Sequence, residues 1–570
     1  MISQGPLELL DTPKGWERRA FQYNCKAVES ERHVMELHGG NIIGASVSAE
    51  GSATFRATDP NKGSALEPNF HIATEGEIAR ALELAEQSFP GYRSQDPEKI
   101  ATFLEAIAAG LEGLGAELIA RLHSETGLPE ARLVGERART TGQLRMFAAL
   151  AREGSWVDAR IDRGDASRAP APKPDLRRML VPIGPVVVFS ASNFPLAFSI
   201  CGGDTASALA TGNPVVTKAH RGHPGSSELM ARAVQEAVRT CGMPEGVFSM
   251  VQGTSTSGIA LVRHPLARAV GFTGSQEGGR ALFDAAAARP TPIPVFAEMG
   301  SLNPFFVLPG ALKIRGTEIA QSLAKSATLG VGQFCTKPGL ALGLHGAELD
   351  GFVSALGAAF TATPSGTMLH AGIAERYRSG LAGRRAMPDL RVAGESVNPG
   401  AAAASGPAAV FTTDAKTYLS NTKLHEELFG PATLVVASDS RERLEEIART
   451  LEGQLTVTIH ATPEDVKEFA GLIDILREKA GRLVFGGVPT GVEVGNAMQH
   501  GGPYPATTDS RFTSVGTAAI LRFVRPVCYQ DFPAAWLPPE LQDANPRGSW
   551  RLIDGKWTRD AVSAGQPTGA

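Results

Sequence analysis

At 570 residues the chain is too long for one hydrophobic core, and two or three domains are expected. With 43% hydrophobic and 20% charged residues and a formal net charge of -4, it has a globular composition and no basic excess that would hold nucleic acid. The five cysteines, Cys25, Cys201, Cys241, Cys335 and Cys528, are odd in number, widely spaced and without a CxxC pair, which argues against a disulfide framework or a metal site and fits a reducing, cytoplasmic setting.

Residues 1–35 are charged and aperiodic, and read as an extension. They lack a basic start followed by an apolar run, so no secretory signal is expected. Residues 74–150 read as helical. EGEIARALELAEQSF carries Ile78, Leu82, Ala85 and Phe89 at helical spacing, Thr74 and Glu77 form a capping-box pattern, and Gly127 with Pro129 is a stop signal. After Trp156 the chain turns polar and proline-rich, and then short β-branched runs alternate with helices. VVVFS, NPVVTKAH, VFSMVQG and LARAVGFTGS read as strands of a doubly wound parallel sheet. The longest apolar stretches, such as residues 184–190, are too short to cross a bilayer, so no membrane partner is expected. A second α/β segment, residues 294–505, holds the strand candidates NPFFVL, GLALGLH, ATLVVAS, QLTVTIH and GRLVFGG. VAGESVNPGAAAASGPAAV reads as a low-complexity surface loop. The last residues, 546–570, read as a tail with only Trp550, Leu552 and Trp557 to anchor it.

Several segments place chemistry-bearing side chains next to turn formers. GQFCTKPG sets Cys335 among small residues, and a thiol needs access as well as a suitable pKa to act as a nucleophile. Taken alone, a free cysteine is more often a small buried hydrophobe. FAEMGSLNP puts Glu298 at the end of an apolar strand, where a semi-buried carboxylate can serve as a base; a surface or capping Glu is the bland alternative. SNFP puts the Asn193 amide at a strand C-terminus, where it can stabilise an oxyanion or simply form a turn. FTGSQEGG is a strand, a Gly-rich turn and a helix start, a place for a pyrophosphate, although it departs from GxGxxG.

Taken in order, SNFP, VxKAH, FTGSxxxG, EMGxxNP, GQxCT and EELFGP resemble the aldehyde dehydrogenase superfamily over nearly the whole chain. The resemblance implies an α/β fold with a Rossmann-like cofactor domain (36–154 and 183–295), a catalytic domain (296–505) and a small bridging strand element (155–182 and 506–545) used for a homodimer or a dimer of dimers. It also implies that Cys335 is the nucleophile, Glu298 the base and Asn193 an oxyanion donor. Lys218, Gly274, Ser275, Glu427 and Phe429 match cofactor-contacting positions, and Phe194 and Phe334 are expected to line the substrate tunnel. Arg221 stands where many NAD-preferring relatives carry a Glu. A cation in place of a carboxylate favours a 2′-phosphate, so NADP is expected, with NAD the alternative.

CGGDTASALATGNP and the stretch from PTGVEVGNAMQHGG to CYQDFP resemble the bacterial branch that oxidises 2-oxoglutarate semialdehyde (2,5-dioxopentanoate). That branch also includes NADP-dependent fatty aldehyde dehydrogenases. The expected partner is thus a small aldehyde, oxidised to its acid. Glu298 argues against a CoA-acylating relative, and Cys335, Glu298 and Asn193 together argue against a non-catalytic protein that kept the fold.

Overall fold

The continuous apolar run VVVF becomes the buried strand Val186–Phe189, flanked by parallel neighbours on both sides, as a run without polar alternation requires. In this computed structural model, residues 36–398 and 400–562 are described. The chain divides into two units, Met1–Glu36 and Leu37–Ala570, and the second holds three large sheets and the helices that cover them. The extension expected at residues 1–35, including Cys25, lies outside the described residues.

The first sheet runs in the order Val295–Glu298, Ala269–Thr273, Val186–Phe189, Val215–Lys218, Phe248–Val251, all parallel. An antiparallel hairpin, Asn41–Ile43 and Ser46–Ser48, extends it. The chain order reverses between Val186–Phe189 and Ala269–Thr273, so a crevice opens beyond their carboxyl ends. Register places Phe189 beside Lys218 and Phe272 at that edge, and Thr273 beside Glu298 one residue further on.

Helices Glu75–Tyr92, Pro97–Gly113, Gly115–Thr126 and Glu130–Glu153 account for the first helical stretch. Thr74 and Glu77 form the capping box, and Gly127 ends the third helix in the left-handed conformation at φ 67°. Glu77 also accepts from Asn41 Nδ2 and Ser48 Oγ, tying the helix start to the hairpin.

The second sheet runs Arg391–Glu395, Ala409–Asp414, Ala432–Ser438, Leu340–Leu344, Phe305–Val307, Gln454–His460, Ala480–Phe485, with only the first strand antiparallel. The stretch read as a surface loop therefore starts as an edge strand. Gly394 and Gly357 permit this: a Cβ on Gly394 would lie 2.1 Å from the Gly357 carbonyl oxygen.

The third sheet runs Val524–Gln530, Leu176–Pro182, Ala159–Asp162, Arg551–Ile553, Lys556–Thr558. Its first strand is preceded by a 3-10 turn, Thr517–Phe523. The C-terminal residues are not the loosely anchored tail expected. They form a hairpin paired parallel to Ala159–Asp162. The expected tryptophan anchors are half exposed, whereas Arg551 is fully buried and donates to the carbonyls of Gln542 and Asp560. No helix among the described residues is long and apolar enough to cross a membrane.

Candidate active site

The loop that carries Cys335 is built by backbone geometry that glycine makes accessible. Gly330, Val331 and Gly332 follow one another in the left-handed region, at φ 56°, 58° and 64°. A β-branched residue there is strained, so Val331 is held by its surroundings. At Gly332 a Cβ would lie 2.3 Å from the Gly430 carbonyl oxygen. GQFC and LFGP are thus two halves of one close backbone contact. Asn303, fully buried and from the EMGSLNP segment, donates from Nδ2 to the carbonyls of Cys335 (2.8 Å) and Lys337 (3.1 Å) and fixes the loop from below.

Cys335 and Glu298 meet. Cys335 Sγ, a Glu298 carboxylate oxygen and a ring nitrogen of His500 lie within 4.8 Å of one another. His500 Nε2 is 3.5 Å from the sulfur and 3.0 Å from Glu298 Oε1. Ser514 Oγ donates to Glu298 Oε2 at 2.5 Å, and Thr513 Oγ1 accepts from the His500 amide. Burial pushes the Glu298 carboxyl up, but the charge and hydrogen bonds of His500, with those of Ser514 and Cys335, outweigh it and hold it below its ordinary range. The Cys335 thiol is driven well above its ordinary value by burial and by the Glu298 charge. At neutral pH the pair is therefore a thiol beside a carboxylate.

His500 did not emerge from the sequence. It stands 165 residues beyond Cys335, in the PTGVEVGNAMQHGG stretch that resembles one bacterial branch but gives no catalytic role to a histidine, and only the fold brings them together.

Asn193 is buried at the end of the Val186–Phe189 strand, and its amide donates to the Gln333 carbonyl at 3.1 Å. That bond uses one of two amide hydrogens and orients the group toward the Cys335 loop. The expected tunnel residues also meet: Phe194 and Phe334 pack edge to face with centroids 5.2 Å apart.

The cofactor candidates divide. Lys218 and Arg221 line a cleft of about 580 Å³ outside the carboxyl edge of the first sheet, with Arg56, Phe189, Phe272, Gly278 and His370. Lys218 opens into the cleft but is otherwise enclosed, and burial, with the Arg221 charge, lowers its pKa to about 8. The Arg221 guanidinium stacks over Phe55 at 5.0 Å. Gly258 keeps the wall thin, since a Cβ there would lie 2.9 Å from the Phe189 ring. Ser275 caps the helix Gln276–Ala287, whose first turn contributes Gly278 to the cleft; Ser275 and Gly274 are exposed at its rim.

Glu427 and Phe429 lie instead on the Cys335 side. The Glu427 carboxylate occupies the space a Cβ on Gly300 would take, 2.6 Å away. The buried Lys337 donates to the carbonyls of Leu428 and Ala432, and its charge acts on Glu427. Burial pushes the Glu427 carboxyl up and the Lys337 amine down. An open-mouthed cleft bearing two guanidinium groups and an amine, with a helix start at its rim, fits an anionic dinucleotide.

Such a cleft at a sheet switch point, beside a Cys–Glu pair, defines an oxidoreductase site of the kind seen in enzymes that act on aldehydes. The sequence profile of the aldehyde dehydrogenase family matches residues 47–378, and the chain belongs to that family. NAD(P) is the family's cofactor. Among curated proteins, the chain is 49% identical over 526 residues to alpha-ketoglutaric semialdehyde dehydrogenase 2 of Azospirillum brasilense, covering 92% of this chain and 100% of that one. It is 47% identical over 493 residues to alpha-ketoglutaric semialdehyde dehydrogenase of Acinetobacter baylyi, covering 86% and 93%. Among solved structures, lactaldehyde dehydrogenase from Escherichia coli shares the fold with TM-score 0.73 and 22% identity, over 86% of this chain and 98% of that one. An aldehyde dehydrogenase C mutant from Pseudomonas syringae, complexed with NAD+ and octanal, does so with TM-score 0.74 and 19% identity, over 87% and 98%.

Proposed function

We propose that this enzyme oxidises 2-oxoglutarate semialdehyde to 2-oxoglutarate with NADP, NAD being the alternative cofactor. The observation that carries the chemistry is the convergence of Cys335, His500 and Glu298 within 4.8 Å. The substrate is drawn from the activity for which the two relatives that match most of the chain are named.

The Cys335 sulfur attacks the aldehyde carbon, and its proton passes to the Glu298 carboxylate. His500 Nε2–H, 3.5 Å from the sulfur, donates to the charge that develops there. The free amide hydrogen of Asn193, with the Cys335 backbone N–H, receives the oxyanion of the thiohemiacetal. NADP held by Lys218, Arg221, Glu427 and Phe429 would supply the hydride acceptor that the oxidation needs, and Cys335 then carries the acyl group as a thioester. Glu298, held low in pKa, releases the thiol proton to solvent and so is ionised again; it then takes a proton from water, whose oxygen attacks the thioester carbon, and the acid is freed as the sulfur leaves and recovers a proton as the Cys335 thiol. The Phe194–Phe334 pair walls the path to the sulfur and limits water entry.

Lys218 and Arg221 would hold the adenosine ribose and its 2′-phosphate, with Arg56 on the same wall. Gly274 and Ser275 would flank its pyrophosphate, and Glu427 with Phe429 would orient the nicotinamide ribose. The protein assembles as a homodimer, or a dimer of dimers, through free sheet edges. Val524–Gln530 is unpaired on one side among the described residues, and the edge strand Ala480–Phe485 exposes Leu483 and Phe485.

The test is oxidation of 2-oxoglutarate semialdehyde, succinic semialdehyde and medium-chain aldehydes with each cofactor. The first aldehyde with NADP is expected to give the highest kcat/KM, and Cys335→Ala to abolish turnover while retaining NADP binding. Turnover by Cys335→Ala would refute the mechanism, and faster oxidation of another aldehyde would refute the substrate.

A further inference from the structure

The helix Glu130–Glu153 presents Arg132 and Arg139, two turns apart, to the aromatic wall beside Cys335. The Arg132 guanidinium lies 5.2 Å over Phe194 and 5.0 Å over Phe334, the residue before Cys335. That of Arg139 lies 5.6 Å over Phe194 and 5.8 Å over Phe198. Arg132 Nη2 donates to the Asn193 carbonyl at 2.7 Å, which ties the cation to the amide beside the Cys335 loop.

The remaining donors are uncommitted. Arg132 Nη1 and Arg139 Nε and Nη2 are buried and have no hydrogen-bond partner among the described residues. The carboxylate between them in the helix, Glu136, spends Oε1 on the amides of Leu196 and Ala197. Burial pushes the Glu136 carboxyl up while the charges of Arg132 and Arg139 pull it down, so on this helix two cations face one carboxyl group. Gly330 allows Arg132 and the Phe334 ring to pack directly on the nucleophile loop: a Cβ there would lie 3.1 Å from Arg132 Nη1 and 2.6 Å from the ring. Arg482, also near enough to interact with Cys335, commits both terminal nitrogens to the carbonyls of Gly491 and Pro489 and keeps only its buried Nε without a partner among the described residues.

Buried cationic donors stacked on aromatic rings form a site for a planar anion. Resting on the reading of the enzyme given above, we propose that Arg132 and Arg139 form the subsite for the carboxylate end of a short oxo-acid aldehyde while Cys335 takes the aldehyde end. A monoanion balances the residual charge, and in 2-oxoglutarate semialdehyde the keto oxygen next to the carboxylate provides a further acceptor. The pair thus sets a preference for acidic over uncharged aldehydes.

The experiment compares 2-oxoglutarate semialdehyde, succinic semialdehyde and pentanal as substrates of the full-length enzyme and of Arg139→Gln, Arg139→Lys and Arg132→Lys. Loss of a charge-assisted hydrogen bond is expected to lower the acid-to-pentanal ratio of kcat/KM by about 10- to 100-fold in Arg139→Gln, mainly through KM. Arg139→Lys, which keeps the charge, is expected to recover part of it. Arg132→Lys is expected to lower the ratio too. Melting temperature and NADP binding report whether each variant is folded. A ratio unmoved in folded Arg139→Gln and Arg132→Lys would overturn the subsite, as would a parallel fall for all three aldehydes. If the wild-type enzyme prefers succinic semialdehyde and that preference depends on the arginines, the substrate assignment falls and the subsite stands. If the wild type prefers 2-oxoglutarate semialdehyde and neither arginine matters, the reverse holds.

Discussion

Replacing His500 by Gln keeps a polar side chain of similar size but removes the imidazole that touches both Cys335 and Glu298. His500 and Glu298 are both almost fully buried. Of the influences on the Glu298 carboxyl, burial is the largest and pushes it up, and the His500 charge is the largest that pulls it down. Without that charge, burial is opposed mainly by Ser514, and the carboxyl titrates at higher pH. Because the active form is the carboxylate, the acid limb of the kcat profile is expected to move to higher pH. A hydrogen bond to a charged group contributes about 1.5–3 kcal/mol, so kcat/KM near neutral pH is expected to fall roughly 10- to 100-fold. Steady-state pH profiles measure both effects, and the pH dependence of Cys335 alkylation reports the thiol separately. An unchanged acid limb with kcat/KM within about threefold of wild type would show that His500 only fills space, and would refute the reasoning.

Arg221→Ala is expected to lower the NADP-to-NAD ratio of kcat/KM by about 10- to 100-fold, since one charge-assisted contact to the 2′-phosphate is lost. Lys218, at about 8 in the free enzyme, binds phosphate best when protonated, so KM for NADP is expected to rise above about pH 8. The Arg221 charge lowers Lys218, and Arg221→Ala should therefore shift that rise to higher pH; a break that stays in place or moves down contradicts this. Gly332→Ala, at φ 64° and with a Cβ 2.3 Å from the Gly430 oxygen, is expected to cost well over the roughly 1–2 kcal/mol of the left-handed conformation alone. Thermal melting and loss of activity read this out. Phe485→Asp on the exposed edge strand is expected to lower the mass in solution measured by light scattering; an unchanged oligomer would place the interface elsewhere.

How much of the fold is legible in the chain depends on how local each signal is. Thr74 with Glu77 and the αL Gly127 are legible because a cap involves residues three or four apart. The parallel strands are legible because burial on both faces demands an unbroken apolar run. The edge strand Arg391–Glu395 hid behind a Gly- and Ala-rich neighbour, since one exposed face leaves little pattern to find. The C-terminal hairpin hid because its anchor is a buried arginine, and charged residues are ordinarily read as surface.

The site divides the same way. Cys335, Glu298 and Asn193 each sit at a strand end or turn whose neighbours carry a recognisable backbone requirement, such as Gly332 against Gly430. His500, Arg132 and Arg139 have no such requirement. His500 enters on an irregular segment, and the arginines lie on a helix whose sequence shows only the polar periodicity of a surface. What sets them apart is unsatisfied hydrogen-bonding capacity in a buried place, a property of the assembled fold. Backbone constraints thus mark the chemistry common to the family, whereas the groups that tune the base and select the substrate emerge only once the chain is folded, and among them Arg139 is the discriminating position. Its buried Nε and Nη2 bond to no group among the described residues, so a selective loss of acidic aldehydes in Arg139→Gln would come from charge recognition rather than from a disturbed nucleophile loop.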